Sequence, residues 1–163
     1  MTPPATSTRA PPAVVAACAA AGACAVAGLG MLVTDLGPWY QSLKQPWYKP
    51  PDAWFGPAWT LIFTLAAIAA VRAWRASTSP QQRRTLLAAF VFNGALNVFW
   101  SWLFFRARRP DWALVEVVAF WLSIVLLIVL AARSDTLAGL LLVPYAVWVA
   151  FAAAINLGVV LLN

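Results

Sequence analysis

Apolar runs of about 20 residues recur five times along the chain, at about Ala13–Val33, Trp54–Trp74, Thr85–Phe105, Trp112–Ala132 and Thr136–Leu161. A bilayer core of about 30 Å requires about 20 apolar residues of a helix. Each run therefore predicts one membrane-spanning helix. Charge and turn chemistry mark the boundaries: Arg72, Arg75, Ser77–Pro80, Arg83 and Arg84, then Arg106, Arg108, Arg109, Pro110 and Asp111, then Arg133 to Asp135. All connections but the first are short, so neighbouring helices run antiparallel. The expected fold is an all-α integral membrane protein, a five-transmembrane-helix bundle with one long Trp/Pro-rich first loop. Residues 13–163 form its single domain, and the polar, Pro-rich residues 1–12, MTPPATSTRAPP, are expected to be a disordered tail.

Composition agrees with the pattern. Hydrophobic residues make up 63% of the chain and charged residues 10%, with a mean hydropathy of +0.80. A water-soluble globule of 163 residues is excluded. The net charge of +6 comes from cations at helix ends, where anionic headgroups explain them, so nucleic acid is not an expected partner. Five spans place Arg9, Arg72, Arg75, Arg83, Arg84 and Arg133 on one side, against Lys44, Lys49, Arg106, Arg108 and Arg109 on the other. That bias is too small to set orientation. The first apolar run continues to Val33, well past any cleavage signal, and reads as a retained helix.

The stretch Trp39–Trp59 carries four Trp, two Tyr and four Pro. Prolines fix φ and remove backbone donors, so the segment is built from extended or single-turn pieces. Two readings are open. Trp and Tyr favour the headgroup level, which suggests an interfacial aromatic belt; alternatively the rings form a lid over a ligand pocket near the membrane surface.

Polar groups inside spans are costly and need a reason. Asn93, Asn97 and Ser101 recur at i, i+4 and i+8 in the third span, with Trp100 on the same side. Tyr145, Trp148, Ala152 and Asn156 form a similar stripe in the fifth span, and Trp59 with Phe63 in the second. These stripes face the interior, either to bond helix to helix or to line one cavity. Glu116 lies about one turn past Trp112, either snorkelling to the interface or meeting an interior partner such as Asn93 or a cation of the third connection. Cys18 and Cys24 read as small packing residues, and with no His in the chain a metal site is not expected. Ala16, Ala20, Cys24 and Gly28 make a smooth ridge for a second helix, of this chain or of a homodimer partner. No Ser–His–Asp or Cys–His set and no phosphate-cradling glycine loop is present.

Trp39-Tyr40, Leu43-Lys44-Gln45-Pro46-Trp47, Pro50-Pro51, Pro57-Ala58-Trp59-Thr60, Asn97 with Trp100 and Phe104-Phe105, Trp112-Ala113-Leu114, and Val143-Pro144-Tyr145 with Trp148 and Asn156 are placed in order and spacing along the chain. Together they resemble the TspO/MBR family of tryptophan-rich sensory proteins and translocator proteins. The resemblance implies a five-helix bundle, in a bacterial cell membrane, whose aromatic loop covers a pocket for porphyrins or similar flat hydrophobic ligands. It implies a sensor, regulator or photo-oxidative scavenger of tetrapyrroles; a transporter or partner-dependent scaffold for porphyrins, sterols or other lipophilic molecules is the alternative. By position the pocket includes Trp39, Trp47, Trp59, Asn97, Ser101, Tyr145, Trp148 and Ala152, with Trp59 and Trp148 matching the pair tied to light-dependent porphyrin breakdown.

Two departures qualify the match. No basic residue follows Tyr145, which weakens a sterol role, and Trp102 stands where many relatives have Pro, which suggests a straighter third helix. A metal-free tetrapyrrole suits the residues best, since no His is available for an iron. Its rings would stack on indoles and its propionates would meet Lys44, Lys49 or the Arg106–Arg109 cluster. No resident cofactor is expected beyond that ligand.

Overall fold

The computed structural model describes residues 11–163. Five helical rods long and apolar enough to cross a membrane follow one another: Pro12–Val33, Asp52–Ala76, Pro80–Arg106, Pro110–Ser134 and Thr136–Leu162. In detail these are α1 (Pro12–Val33), a single-turn α2 (Pro38–Ser42) in the first loop, a 3₁₀ turn (Asp52–Trp54) leading into α3 (Phe55–Ala76), α4 (Pro80–Ser101) extended by a π-helical turn (Trp102–Arg106), α5 (Pro110–Ser134), and α6 (Thr136–Leu141) with α7 (Val143–Leu162). The five expected spans are all present. Of the expected tail, residues 1–10 lie outside the described residues, and Pro12 already opens α1.

Three boundaries depart from the hydropathy pattern, each for a local reason. Helix α4 begins at Pro80, not Thr85, so Arg83 and Arg84 belong to its first turns. Ser79 and Gln82 form a reciprocal capping box and Pro80 occupies the first helical position. The third span does not run straight to its end either. From Trp102 its bonds widen to the fifth residue, with the Ala107 amide donating to the Trp102 carbonyl at 2.9 Å. Finally the fifth span breaks at Leu142, because Pro144 has no amide to donate; the Tyr145 and Ala146 amides both turn to the Leu142 carbonyl.

Helix α5 is the hub, packed on α3, α4, α6 and α7, whereas α1 lies against α3 and α4. Burial follows: α5 buries residues along its whole length, from Ala113 to Ala131, and α1 buries none. The core has three layers. At the end formed by the α3–α4 and α5–α6 turns, Ala69, Ala73, Leu86, Leu127, Ala131, Ala138 and Leu142 pack closely. Small residues permit this approach: a Cβ on Gly139 would come within 2.6 Å of the Ala132 Cβ. The middle layer centres on Phe120, Ile124, Tyr145 and Val149, and the layer beneath the first loop on Tyr40, Leu103, Phe104, Ala113 and Val159.

Cys18 and Cys24 are exposed on α1, so they face lipid and do not pack within the bundle. Ala16, Ala20, Cys24 and Gly28 are exposed too, whereas Val15, Ala19, Ala23 and Val26 turn inward. The small-residue ridge therefore does not meet a helix of its own chain.

Candidate functional site

The first loop folds back onto the bundle and is pinned at several points. Pro46 is buried against Gly158 of α7, and a Cβ on that glycine would lie only 2.8 Å from the proline ring and from the Tyr48 hydroxyl. The Tyr48 hydroxyl donates to the Ala154 carbonyl at 2.8 Å, at a helix position where that carbonyl is reachable. The Asn163 side chain pairs with the Lys44 backbone in both directions, accepting from its amide at 3.0 Å and donating to its carbonyl at 3.1 Å. Further along, the Lys49 ammonium and the Tyr40 hydroxyl both donate to Asp52 Oδ1. Lys49 also sits over the rings of Tyr40 and Phe55. Burial, and then the bond to Asp52, push the Tyr40 phenol above its ordinary titration range.

The neighbouring turn braces the loop from the side. Arg108 holds a left-handed backbone, φ 55°, a conformation that costs a non-glycine residue about 1 kcal/mol or more. Its guanidinium lies 5.9 Å from the Trp39 ring centre, and Trp39 meets Phe104 edge-on at 6.1 Å. Arg109, next to it, forms a two-pronged pair with Asp111.

Beneath the loop is a small cavity of about 50 Å³, walled by Tyr40, Gln45 and Lys49 from the loop, Phe55 from α3, Trp100 and Phe104 from the third span, and Ala152 and Asn156 from α7. Gln45 Nε2, Trp100 Nε1 and Asn156 Oδ1 are buried there without hydrogen-bond partners. Asn156 spends its amide nitrogen on the Pro110 carbonyl at 2.9 Å, which fixes the amide and leaves its oxygen unpartnered. An orphaned buried polar atom costs about 1–3 kcal/mol, so two donors and one acceptor around one aromatic cavity are groups awaiting a partner.

One layer deeper lies a cluster of rings and amides. Trp59 stacks on Phe63 at 5.3 Å and meets Tyr145 at 6.0 Å and Trp148 at 6.4 Å, both nearly edge-on. Trp148 in turn touches Phe55 at 5.6 Å, so the indole pair reaches the cavity through one intervening ring. Trp148 Nε1 is another buried donor without a partner. Asn97 Nδ2 donates to the Tyr145 hydroxyl at 3.2 Å, that hydroxyl to Asn93 Oδ1 at 3.0 Å, and Asn93 Nδ2 to Ser123 Oγ at 2.8 Å. This chain ties α4, α5 and α7 together through their mutually satisfied polar groups.

Placed on this geometry, the residues named from the sequence divide into groups. Lys49 and Ala152 line the cavity. Trp59 and Trp148 sit directly behind it, and Trp39 packs at its edge on Phe104. Asn97 and Tyr145 bond to each other and not to the cavity, and Ser101 Oγ bonds back to the Asn97 carbonyl at 3.3 Å. Trp47 is 94% exposed and points away from the cavity, and Lys44 is exposed beside Asn163. Trp100 and Asn156, expected on the interior stripes, also line it, as do Tyr40, Gln45, Phe55, Phe104, Phe105 and Ile155, which were not named as ligand contacts; an amide embedded among aromatic residues was the available signal for Gln45. Glu116 meets neither the interface nor any of the expected partners: both carboxylate oxygens are buried without a hydrogen bond among the described residues.

The sequence profile of the TspO/MBR family matches residues 14–162. The chain is 38% identical over 125 residues to the tryptophan-rich protein TspO of Archaeoglobus fulgidus, covering 77% of this chain and 80% of that protein. It is 35% identical over 145 residues to the tryptophan-rich sensory protein of Cereibacter sphaeroides, covering 89% and 87%. With the human translocator protein it shares 28% over 120 residues, covering 72% and 70%. Five apolar helices, an aromatic loop packed over one end of the bundle and a match along almost the whole described chain lead to one conclusion: this integral membrane protein belongs to the TspO/MBR family.

Proposed function

We propose that the protein binds a flat, metal-free tetrapyrrole or a ligand of similar shape beneath the first loop, and acts as a membrane-embedded sensor or regulator of it. The observation that carries this reading is the set of unpartnered groups on Gln45, Trp100 and Asn156 among aromatic walls. A porphyrin brings acceptors in its propionates and donors in its pyrrole N–H groups, and its faces stack on the surrounding rings. Lys49, on the cavity wall, keeps two ammonium donors after its bond to Asp52 and can offer one to a propionate. A sterol offers a single hydroxyl and leaves most of these groups unpaired. The sensory name of the C. sphaeroides relative supports a regulatory role.

Ligand pockets of drug size occupy about 300–1,000 Å³, far more than the cavity of about 50 Å³ found here. Binding therefore requires the loop to lift. Trp59 and Trp148 lie behind Phe55, where an indole can pass an electron to an excited macrocycle; with dissolved dioxygen as the oxidant that takes up the electron and cleaves the ring, this gives a route to light-dependent loss of bound porphyrin. A transporter is expected to break its helices around a midplane site, whereas the breaks here, at Leu142 and from Trp102, lie towards helix ends. Titration of the purified protein with protoporphyrin, read by tryptophan quenching, tests the proposal. Saturable one-to-one quenching is expected; quenching that rises linearly without saturation overturns it.

A further inference from the structure

The opposite end of the bundle carries a second cavity, of about 230 Å³, between the start of α4 and the end of α5. Its polar wall includes Arg133, Thr85, Ser134 and Gln81, and Leu86 with Leu130 form an apolar base. The volume is several times the share of one water, about 30 Å³. This end is strongly cationic, with Arg72, Arg75, Arg83, Arg84 and Arg133 gathered around the α3–α4 and α5–α6 turns. The chain has five carboxylates, Asp35, Asp52, Asp111, Glu116 and Asp135, and of these only Asp135 is at this end. It is already taken: Arg72 bonds it at 2.8 Å, and its other oxygen caps the Ala138 amide. Arg83 is likewise engaged, donating to the Ser77 carbonyl and lying over the Trp74 ring. Arg133, on the cavity wall, has no ion-pair partner among the described residues.

We propose that this cavity binds a phosphate ester, with Arg133 as its counter-ion and the Thr85 hydroxyl and the Gln81 amide as neutral donors; the Ser134 hydroxyl is turned to Ser77 Oγ at 3.4 Å and stays outside the set. Guanidinium and hydroxyl donors match phosphate oxygens, which accept in several directions. The site lies where two membrane-spanning helices end, at headgroup level, and its floor is apolar. A phospholipid satisfies both halves, with its phosphate on Arg133 and the start of an acyl chain on Leu86 and Leu130. A soluble phosphate satisfies only the upper half.

Native mass spectrometry of the full chain in detergent, with added phosphatidylglycerol, measures the retained lipid. Removing one interfacial cation is expected to weaken retention about fivefold in Arg133→Gln. Arg133→Lys should restore most of it, and Arg75→Gln, at the same end but off the cavity wall, should behave as the parent. Thermal unfolding in phosphatidylcholine alone checks that each variant is folded. Competition then separates the sources: glycerol 3-phosphate that displaces the lipid assigns a site for the soluble phosphate group, and failure to displace it assigns the anchored lipid. Equal retention by the parent and Arg133→Gln, or equal losses in Arg133→Gln and Arg75→Gln, would overturn the site.

Discussion

If the first loop is a gate, loosening its seat on α7 should speed ligand capture, and Gly158→Ala is the cleanest way to do so. In a helix interior alanine is favoured over glycine by up to about 1 kcal/mol, so the substitution does not weaken α7 itself. Its new Cβ would stand 2.8 Å from Pro46 Cβ and Cγ and from the Tyr48 hydroxyl, closer than real contacts allow. The proline ring is fixed to its own backbone, so the loop has to move as a piece. That shift lengthens the 2.8 Å bond from Tyr48 to the Ala154 carbonyl. Overpacking of this kind costs about 1–3 kcal/mol, here charged to the closed, ligand-free loop. A closed state weakened by that amount raises the open population about 5- to 150-fold. Because a cavity of about 50 Å³ admits no macrocycle until the loop lifts, the association rate should rise by a similar factor until opening ceases to limit it. Stopped-flow quenching of tryptophan by protoporphyrin reads the rate directly. An unchanged association rate in a variant whose thermal midpoint has fallen would show that the loop is a belt and not a gate.

Other expectations follow from the layer below and from the far end. Trp59→Phe with Trp148→Phe should leave protoporphyrin affinity within about twofold, since neither ring lines the cavity, but abolish light-dependent loss of the bound pigment; unchanged bleaching under illumination would remove the indoles from the mechanism. Asn97→Leu should lower bundle stability by about 1–2 kcal/mol and spare affinity, because Asn97 bonds Tyr145 and not the cavity; the contrary result, intact thermal stability with weakened ligand titration, would make Asn97 a ligand contact. The Asp135 carboxyl is held below the usual range by the Ala138 amide and then by Arg72. A depressed folded value means stabilisation that is full above the ordinary carboxylate range and is lost as pH falls through that range towards the folded value. The thermal midpoint in detergent should therefore drop between about pH 5 and 3, and Asp135→Asn, which keeps a capping oxygen, should flatten that slope while shifting the neutral-pH midpoint by only a degree or two.

Five membrane spans, the aromatic loop and the family motifs were legible in the sequence because each rests on local quantities. Apolar length determines whether a helix spans a bilayer whatever its neighbours are, and the motifs from Trp39 to Asn156 are read residue by residue. The early start of α4 was legible too, in Ser79-Pro80 followed by Gln82, although hydropathy masked it behind two arginines. The roles of the polar groups were not legible. Asn97 and Asn156 look alike in sequence, each an amide in an apolar stripe. Only the packing gives Asn97 a hydroxyl from α7 to bond, and leaves Asn156, in the wall of a cavity, with a buried oxygen that has no partner. Likewise nothing local distinguishes Trp47, turned outward, from Trp59, packed against three rings. A side chain's partner depends on helix rotation and on contacts between residues more than a hundred positions apart, such as Lys44 with Asn163 and Tyr48 with Ala154. Hydrogen bonds are satisfied over about 3 Å, and that distance is set by the assembled bundle.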